Sequence, residues 1–143
     1  MRSLAPALLC ALLPMAAAAA AERPALDVEG WTYVGASATS VMFIRHEATP
    51  EGGAYPRVLV RFEEAKPFDR RGFASMSSVE IDEIDCAGQR TRVIQDTRYK
   101  QSNLKGESRV DRAQAPAWQD EAKGSFGAGI LKAACADPET PRA

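Results

Sequence analysis

Two cysteines in the body of the chain, Cys86 and Cys135, constrain the fold more than any other feature, because they stand 49 positions apart. Closing a loop of that length removes unfolded-state entropy worth roughly 4 kcal/mol in the chain-entropy model. The chain has no Cys-x-x-Cys spacing, which argues against a redox pair. In an oxidising compartment two cysteines indicate one structural bridge. We therefore predict a disulfide between Cys86 and Cys135, with two free thiols as the alternative.

The first 21 residues have the order of a secretory signal peptide. Met1 and Arg2 form a short positive start, residues 4–15 are uncharged and mostly apolar, and residues 16–21 are all alanine. The Ala-x-Ala ending predicts cleavage after Ala21, which places residues 22–143 in the periplasm or outside the cell. The alternative is a retained N-terminal anchor helix, although the apolar run is short for a membrane span.

Charge and hydropathy exclude two classes of partner for the predicted mature chain. The sequence has 18 Lys and Arg against 19 Asp and Glu, and only Arg2 lies in the predicted leader. A nucleic-acid-binding protein would need a basic stripe, so no nucleic-acid partner is predicted. No second long apolar segment follows the leader, so no transmembrane segment is predicted after its removal. The length suits one domain, residues 22–143, with disordered ends.

Period-two patterns predict an antiparallel sheet. Residues 31–34 and 41–46 flank a turn of small residues, as in an opening hairpin. Residues 57–62 place apolar side chains on one face and arginines on the other. Residues 79–86 alternate until Asp82, where the apolar phase slips by one residue, as at a β-bulge.

Further strands are predicted at residues 90–99 and 108–112. Residues 66–78 contain Pro67 and Gly72 and show no clear period, so they are predicted to form a long connection that tucks Phe68, Phe73 and Met76 under the sheet.

A helix is predicted near the C-terminus. Ser125 is a suitable N-cap, and apolar residues from Phe126 to Ala134 fall on one helical face. Gly127 and Gly129 weaken this helix by roughly 1 kcal/mol each but allow it to approach a sheet closely. The predicted fold class is therefore α+β: an antiparallel sheet of about five or six strands, one C-terminal helix packed on a face, and one disulfide.

The sequence offers few groups suited to catalysis or metal binding. His46 is the only histidine and has no His or Cys partner at ligand spacing. Glu80, Asp82, Glu83 and Asp85 form a carboxylate row that could act hydrolytically, but arginines on neighbouring strands could pair with it across the sheet. We favour a solvated, salt-bridged face and predict no catalytic residue, no metal and no cofactor.

The aromatic residues allow two interpretations. Trp31 and Trp118 are predicted to lie in the core, because tryptophan is usually well buried. Alternatively, they form a protein-binding face with Tyr33, Tyr99 and the arginine-rich strands, since Trp, Tyr and Arg are enriched in binding hot spots.

Several short motifs follow one another in a distinctive order. Residues 30–35 open with Gly-Trp-Thr-Tyr-Val-Gly, Asp85-Cys86 closes a later strand, and an arginine-rich strand ends at Tyr99. Trp118 and a final helix from Gly124-Ser125 to Cys135 complete the order. This order resembles the surface-adhesin protein E family of small exported bacterial proteins. The resemblance implies an antiparallel sheet with a C-terminal helix, a disulfide, a homodimer as one assembly state, and binding of host matrix and plasma proteins.

The sequence departs from that family in lacking the motif by which a lipid anchor is attached. Lipid attachment requires a small residue directly before the cysteine, whereas bulky Leu9 precedes Cys10. The leading hypothesis is an exported, non-enzymatic, envelope-associated module that binds another protein. The alternatives are a periplasmic inhibitor of a secreted enzyme and a small periplasmic hydrolase that uses Glu80, Asp82 and Asp85.

Overall fold

The computed structural model describes residues 25–136. The predicted signal peptide, residues 1–21, and the extreme ends of the predicted domain lie outside the described residues. In chain order the strands and the helix are β1 (Thr32–Ala36), β2 (Ser40–Glu47), β3 (Arg57–Arg70), β4 (Phe73–Asp85), β5 (Arg90–Gln101), β6 (Lys105–Arg112), β7 (Gln119–Asp120) and α1 (Phe126–Ala134).

The strands form one antiparallel sheet in the order β1-β2-β3-β4-β5-β6, and the short β7 pairs with β5. Each of the first six strands therefore lies beside its neighbour in sequence, as successive hairpins produce. The predicted antiparallel sheet with one C-terminal helix is confirmed, but the strand count is slightly higher than predicted because β7 adds a two-residue strand.

The predicted connection at residues 66–78 is wrong. β3 continues to Arg70 and β4 begins at Phe73, so the two strands meet at a tight turn of Arg71 and Gly72, both at positive φ. Pro67 is tolerated because the ladder between β3 and β4 is irregular between Glu63 and Phe68. Phe68 is 55 % exposed and Met76 is half-buried, so only Phe73 of the three predicted apolar side chains is fully buried.

The core lies between α1 and one face of the sheet, which we call the helix face. Alternation along the strands brings the side chains of Met42, Ile44, Val58, Val60 and Ile84 to this face. The helix contributes Ile130, Leu131 and Ala134. The Ser125 side chain accepts a hydrogen bond from the Ala128 backbone N–H at 3.1 Å and caps the helix as predicted.

The predicted disulfide is present and joins Cys86 to Cys135 with Cα atoms 5.9 Å apart. Cys86 directly follows β4, and Cys135 is the C-cap of α1. The bridge therefore fixes the end of the helix to the end of a central strand.

The opposite face of the sheet, here called the arginine face, carries Arg45, Arg57, Arg61, Arg90 and Arg92. Both tryptophans lie there, half-buried, and the prediction that they belong to the core is wrong. The Arg92 guanidinium lies 4.4 Å from the Trp118 ring centroid, and that of Arg45 lies 4.6 Å from the Trp31 ring centroid. A stacked guanidinium group covers part of each indole ring, so neither tryptophan has to lie in the apolar core.

Candidate functional site

The predicted carboxylate row is divided between the two faces of the sheet. Because side chains alternate along a strand, Glu83 and Asp85 lie on the arginine face while Glu80 and Asp82 lie on the helix face. The structure therefore does not bring Asp85 together with Glu80 and Asp82.

On the arginine face the predicted cross-strand salt bridges are present. Glu83 accepts hydrogen bonds from Arg57 at 2.9 Å and from Arg92 at 2.7 Å, and Asp85 accepts one from Arg90 at 3.1 Å. Partial burial opposes ionisation of Glu83, but hydrogen bonds from Arg92 and Arg57 outweigh it and lower its pKa. The hydrogen bond from Arg90, helped by the Gly88 backbone N–H, lowers the pKa of Asp85. Both carboxylates are thus committed to internal ion pairs.

Glu80 and Asp82 have different surroundings. Glu80 lies directly opposite Asp96 in the ladder between β4 and β5 and makes no hydrogen bond or ion pair with any residue in the described range. Asp82 is only 2 % exposed, and its Oδ1 atom has no hydrogen-bond partner among residues 25–136. Glu80 lines two cavities, so this part of the helix face is polar and partly open.

Burial shifts the pKa of these groups upward. Burial, aided by the charge of Asp96 and opposed by Arg70, raises the pKa of Glu80 to about 7. Burial raises the pKa of Asp82 to about 8, with further contributions from Glu80, Glu121 and Asp96. Burial also raises the pKa of Asp96, against the opposing charges of Arg98 and Arg70. Glu80 and Asp82 therefore hold protons near neutral pH.

Two cavities open over this half of the sheet, with volumes of about 310 Å³ and 150 Å³. Both are lined by Arg70, Glu80 and Asp96, so we treat them as one site, the charged groove. The larger cavity is also lined by Asp111, by Arg71 and Arg112, and by the mainly apolar residues 115–117.

Two arginines contact the acidic side of the groove in different ways. Arg98 is almost completely buried, donates to the Arg70 carbonyl at 2.6 Å and forms ion pairs with Asp96 at 3.2 Å and with Asp111. Arg70 is 55 % exposed and stands 3.6 Å from Asp96. Arg98 is therefore an internal counter-ion, whereas Arg70 makes a longer contact with Asp96 from a half-exposed position.

The structure offers no metal centre within residues 25–136, since no three His, Cys, Asp or Glu side chains there are placed to share an ion. His46 lies exposed on β2, outside the charged groove. Sequence reasoning missed Asp96, Arg70 and Asp111 as members of the site. Their juxtaposition with Glu80 depends on strand register, and the ladder between β4 and β5 shifts between Ile81 and Asp82.

Comparison with known families matches residues 31–136 to the family model described as surface-adhesin protein E. The chain belongs to the surface-adhesin protein E family. The matched range begins just before β1 and ends just after the disulfide-bonded Cys135, so it spans every strand and the helix. A search of curated proteins and a search of solved structures each find no match.

Membership of the surface-adhesin protein E family indicates an adhesin-like, non-enzymatic protein that is exported and associated with the cell envelope. The match gives no support to the homodimer that the sequence resemblance implied. Within the described part of the chain, no helix has the length and apolar character needed to cross a membrane.

Proposed function

We propose that this protein is an exported, non-enzymatic module that binds another protein through the charged groove. The observation that supports this proposal most directly is the groove itself, in which exposed arginines lie beside Glu80, a carboxyl group without an ion pair among the described residues. Arginine is enriched in binding hot spots, and a cleft with converging polar groups is the usual place for recognition. Cleavage near Ala21 would release the module into the periplasm or outside the cell.

The arginine face is a weaker candidate for the binding surface. Its arginines are engaged with Glu83 and Asp85 and with the rings of Trp31 and Trp118. A partner would have to break these contacts before it could use the guanidinium groups. In the charged groove, by contrast, a partner could contact Glu80 without first breaking an ion pair.

A hydrolase is the alternative that the raised pKa of Glu80 favours, because a protonated carboxyl group near neutral pH can act as a general acid. Of the three carboxylates proposed for it, however, only Glu80 lines the groove. Asp82 is buried beneath it and Asp85 is bound to Arg90 on the other face. An inhibitor of a secreted enzyme is a special case of protein binding, and the identity of the captured partner separates it from an adhesin.

The test is retention of partners by the immobilised mature chain, residues 22–143, from bacterial envelope extract and from purified host matrix proteins. The variant R71E/R112E reverses two exposed charges on the rim of the charged groove. The matched control, K105E/K123E, reverses two exposed charges that line neither cavity. We expect the rim variant to lose retention by about tenfold or more, as removal of hot-spot arginines does. Equal retention by both variants would exclude the groove as the binding surface.

A further inference from the structure

We propose that the outer edge of β1 is a second binding surface, at which an extended segment of another protein joins the sheet as one further strand. The occupant is a short, uncharged segment rich in β-branched side chains. This inference goes beyond the proposed function, because no residue of β1 lines either cavity of the charged groove.

The first support is the position of β1 in the sheet. Among the strands within residues 25–136, β1 pairs only with β2, so its other side is an edge. Alternate residues of an edge strand direct their backbone N–H and C=O groups away from the sheet, where a further strand can pair with them. Asp27 is hydrogen-bonded to Arg61 on β3 and to Asn103 after β5, so the segment before β1 crosses the sheet and does not run along that edge.

The second support is the contrast between the two ends of the sheet. The strand at the far end, β6, carries charged side chains at five of its eight positions: Lys105, Glu107, Arg109, Asp111 and Arg112. Charged residues on an edge strand oppose pairing with a further strand. β1 has the sequence Thr-Tyr-Val-Gly-Ala and carries no charge. The sheet is therefore protected at β6 and open to strand addition at β1.

The third support is Tyr33, which is 60 % exposed, the largest exposed fraction of any large hydrophobic side chain in the described range. Tyr33 lies opposite the buried Phe43 in the ladder between β1 and β2, and the two rings meet edge to face with centroids 6.0 Å apart. Aromatic and β-branched side chains form favourable cross-strand pairs. A Val, Ile or Thr side chain of an added strand would therefore cover the part of the Tyr33 ring that Phe43 leaves open.

Packing against α1 holds this edge in place before a partner arrives. Val34 packs against the core, and α1 lies so close that a Cβ added at Gly129 would be 3.1 Å from the Val34 side chain. A preformed edge lowers the cost of ordering on binding. The strand has only five residues, and its ladder with β2 shifts between Tyr33 and Gly35, so the added segment must be short.

The test is NMR titration of the isotope-labelled mature chain with the peptide acetyl-Thr-Val-Thr-Ile-Thr-amide. The matched probe has the same side chains and a methyl group on each backbone nitrogen, so it has no backbone N–H to donate. We expect saturable shifts of the β1 amide signals and an affinity lower by about tenfold or more for the methylated peptide, the scale of one or two lost hydrogen bonds. Equal binding of the two peptides, or shifts confined to β6, would overturn the proposal.

The variant Y33A removes the exposed ring, and V110A, which removes an exposed apolar side chain from β6, is its matched control. We expect Y33A to bind the peptide about three- to fivefold more weakly, the scale of one cross-strand pair, and V110A to bind it as the wild type does. Equal affinities of Y33A and V110A would contradict the proposal.

Other occupants of the edge are separate outcomes of the same titration. If the β1 amide signals of the chain alone shift on dilution, a second copy occupies the edge, and if they shift when residues 137–143 are removed, the end of this chain does. Either result would overturn the proposal. The variant R71E/R112E should bind the peptide as the wild type does, and a loss there would place the peptide in the charged groove and equally overturn it.

Discussion

Arg61 and Glu63 lie two residues apart on the same face of β3 and form an ion pair in which both side chains are only 3 % exposed. The Arg61 Nε–H donates to Glu63 at 2.8 Å, and its terminal nitrogens reach the Asp27 carbonyl and the Asn103 side chain. The Asn103 backbone N–H donates to Glu63 in turn. This pair therefore ties the segment before β1 and the turn after β5 to the centre of the arginine face.

Removing Glu63 should destabilise the fold strongly. The variant E63A leaves the Arg61 guanidinium buried without its counter-ion, so we expect the free energy of unfolding to fall by about 3–5 kcal/mol. The exposed pair of Lys100 and Glu107 provides the control, and E107A should cost less than about 1 kcal/mol. Urea denaturation measures both. Similar losses for E63A and E107A would show that burial of the first pair has no energetic consequence.

The disulfide gives a second prediction. C86S and C135S should each lower the free energy of unfolding by roughly 4 kcal/mol, the loop-closure value for their separation. The double variant should lose no more than either single one, because one bond is removed in every case. Thermal denaturation measures the loss, and a reductant should act on the wild type but not on the double variant. A clear difference between the two single variants would contradict the pairing.

Gly127 should resist replacement by alanine even though alanine is the better helix former by about 1 kcal/mol. A methyl group there would overlap the Glu121 carboxylate, which accepts hydrogen bonds from Thr91 at 2.6 Å and from Ser125 at 3.2 Å. Displacing Glu121 breaks both bonds, so we expect G127A to destabilise the protein by about 1–2 kcal/mol in denaturant unfolding. With E121A already present, the same change should stabilise it. An effect of the same sign with and without E121A would refute this explanation.

Stability should fall as the pH rises from mildly acidic to mildly alkaline. A carboxyl group whose pKa is raised by folding stabilises the native state fully below its unfolded pKa, and this contribution is lost as the pH rises through the folded value. For Glu80 the window runs from its ordinary pKa of 4.5 to about 7, and its width corresponds to a loss on the order of 3 kcal/mol. The window of Asp82 runs from 3.8 to about 8.

Glu83 and Asp85 act in the opposite direction, because their pKa values are lowered and their stabilisation disappears only in more acidic solution. The greatest stability is therefore expected near pH 5, roughly between the two groups of transitions. The variant E80Q should flatten the decline above that pH, as measured by urea denaturation in a series of buffers. A decline of unchanged steepness in E80Q would show that Glu80 is not its source.

Local sequence patterns predicted much of the arginine face and of the core. Alternation separated Val58 and Val60 from Arg57. Glu83 and Asp85 pair with arginines on adjacent strands as predicted, whereas Glu80 and Asp82 do not. The hairpin of β3 and β4 was missed because Pro67 and Gly72 resemble loop residues, whereas the long ladder around them provides the hydrogen bonds that make them strand and turn.

The sequence by itself determined the elements that depend on near neighbours or on counting: the antiparallel strands, the capped C-terminal helix, and a bridge between the two cysteines outside the predicted leader. Only the tertiary structure decided which charges meet. Glu80 and Asp96 are 16 positions apart and face each other through a register that a bulge shifts, while Arg61 and Glu63 become buried because a distant segment covers them. Long-range register and coverage depend on the whole sheet, and a local pattern contains neither.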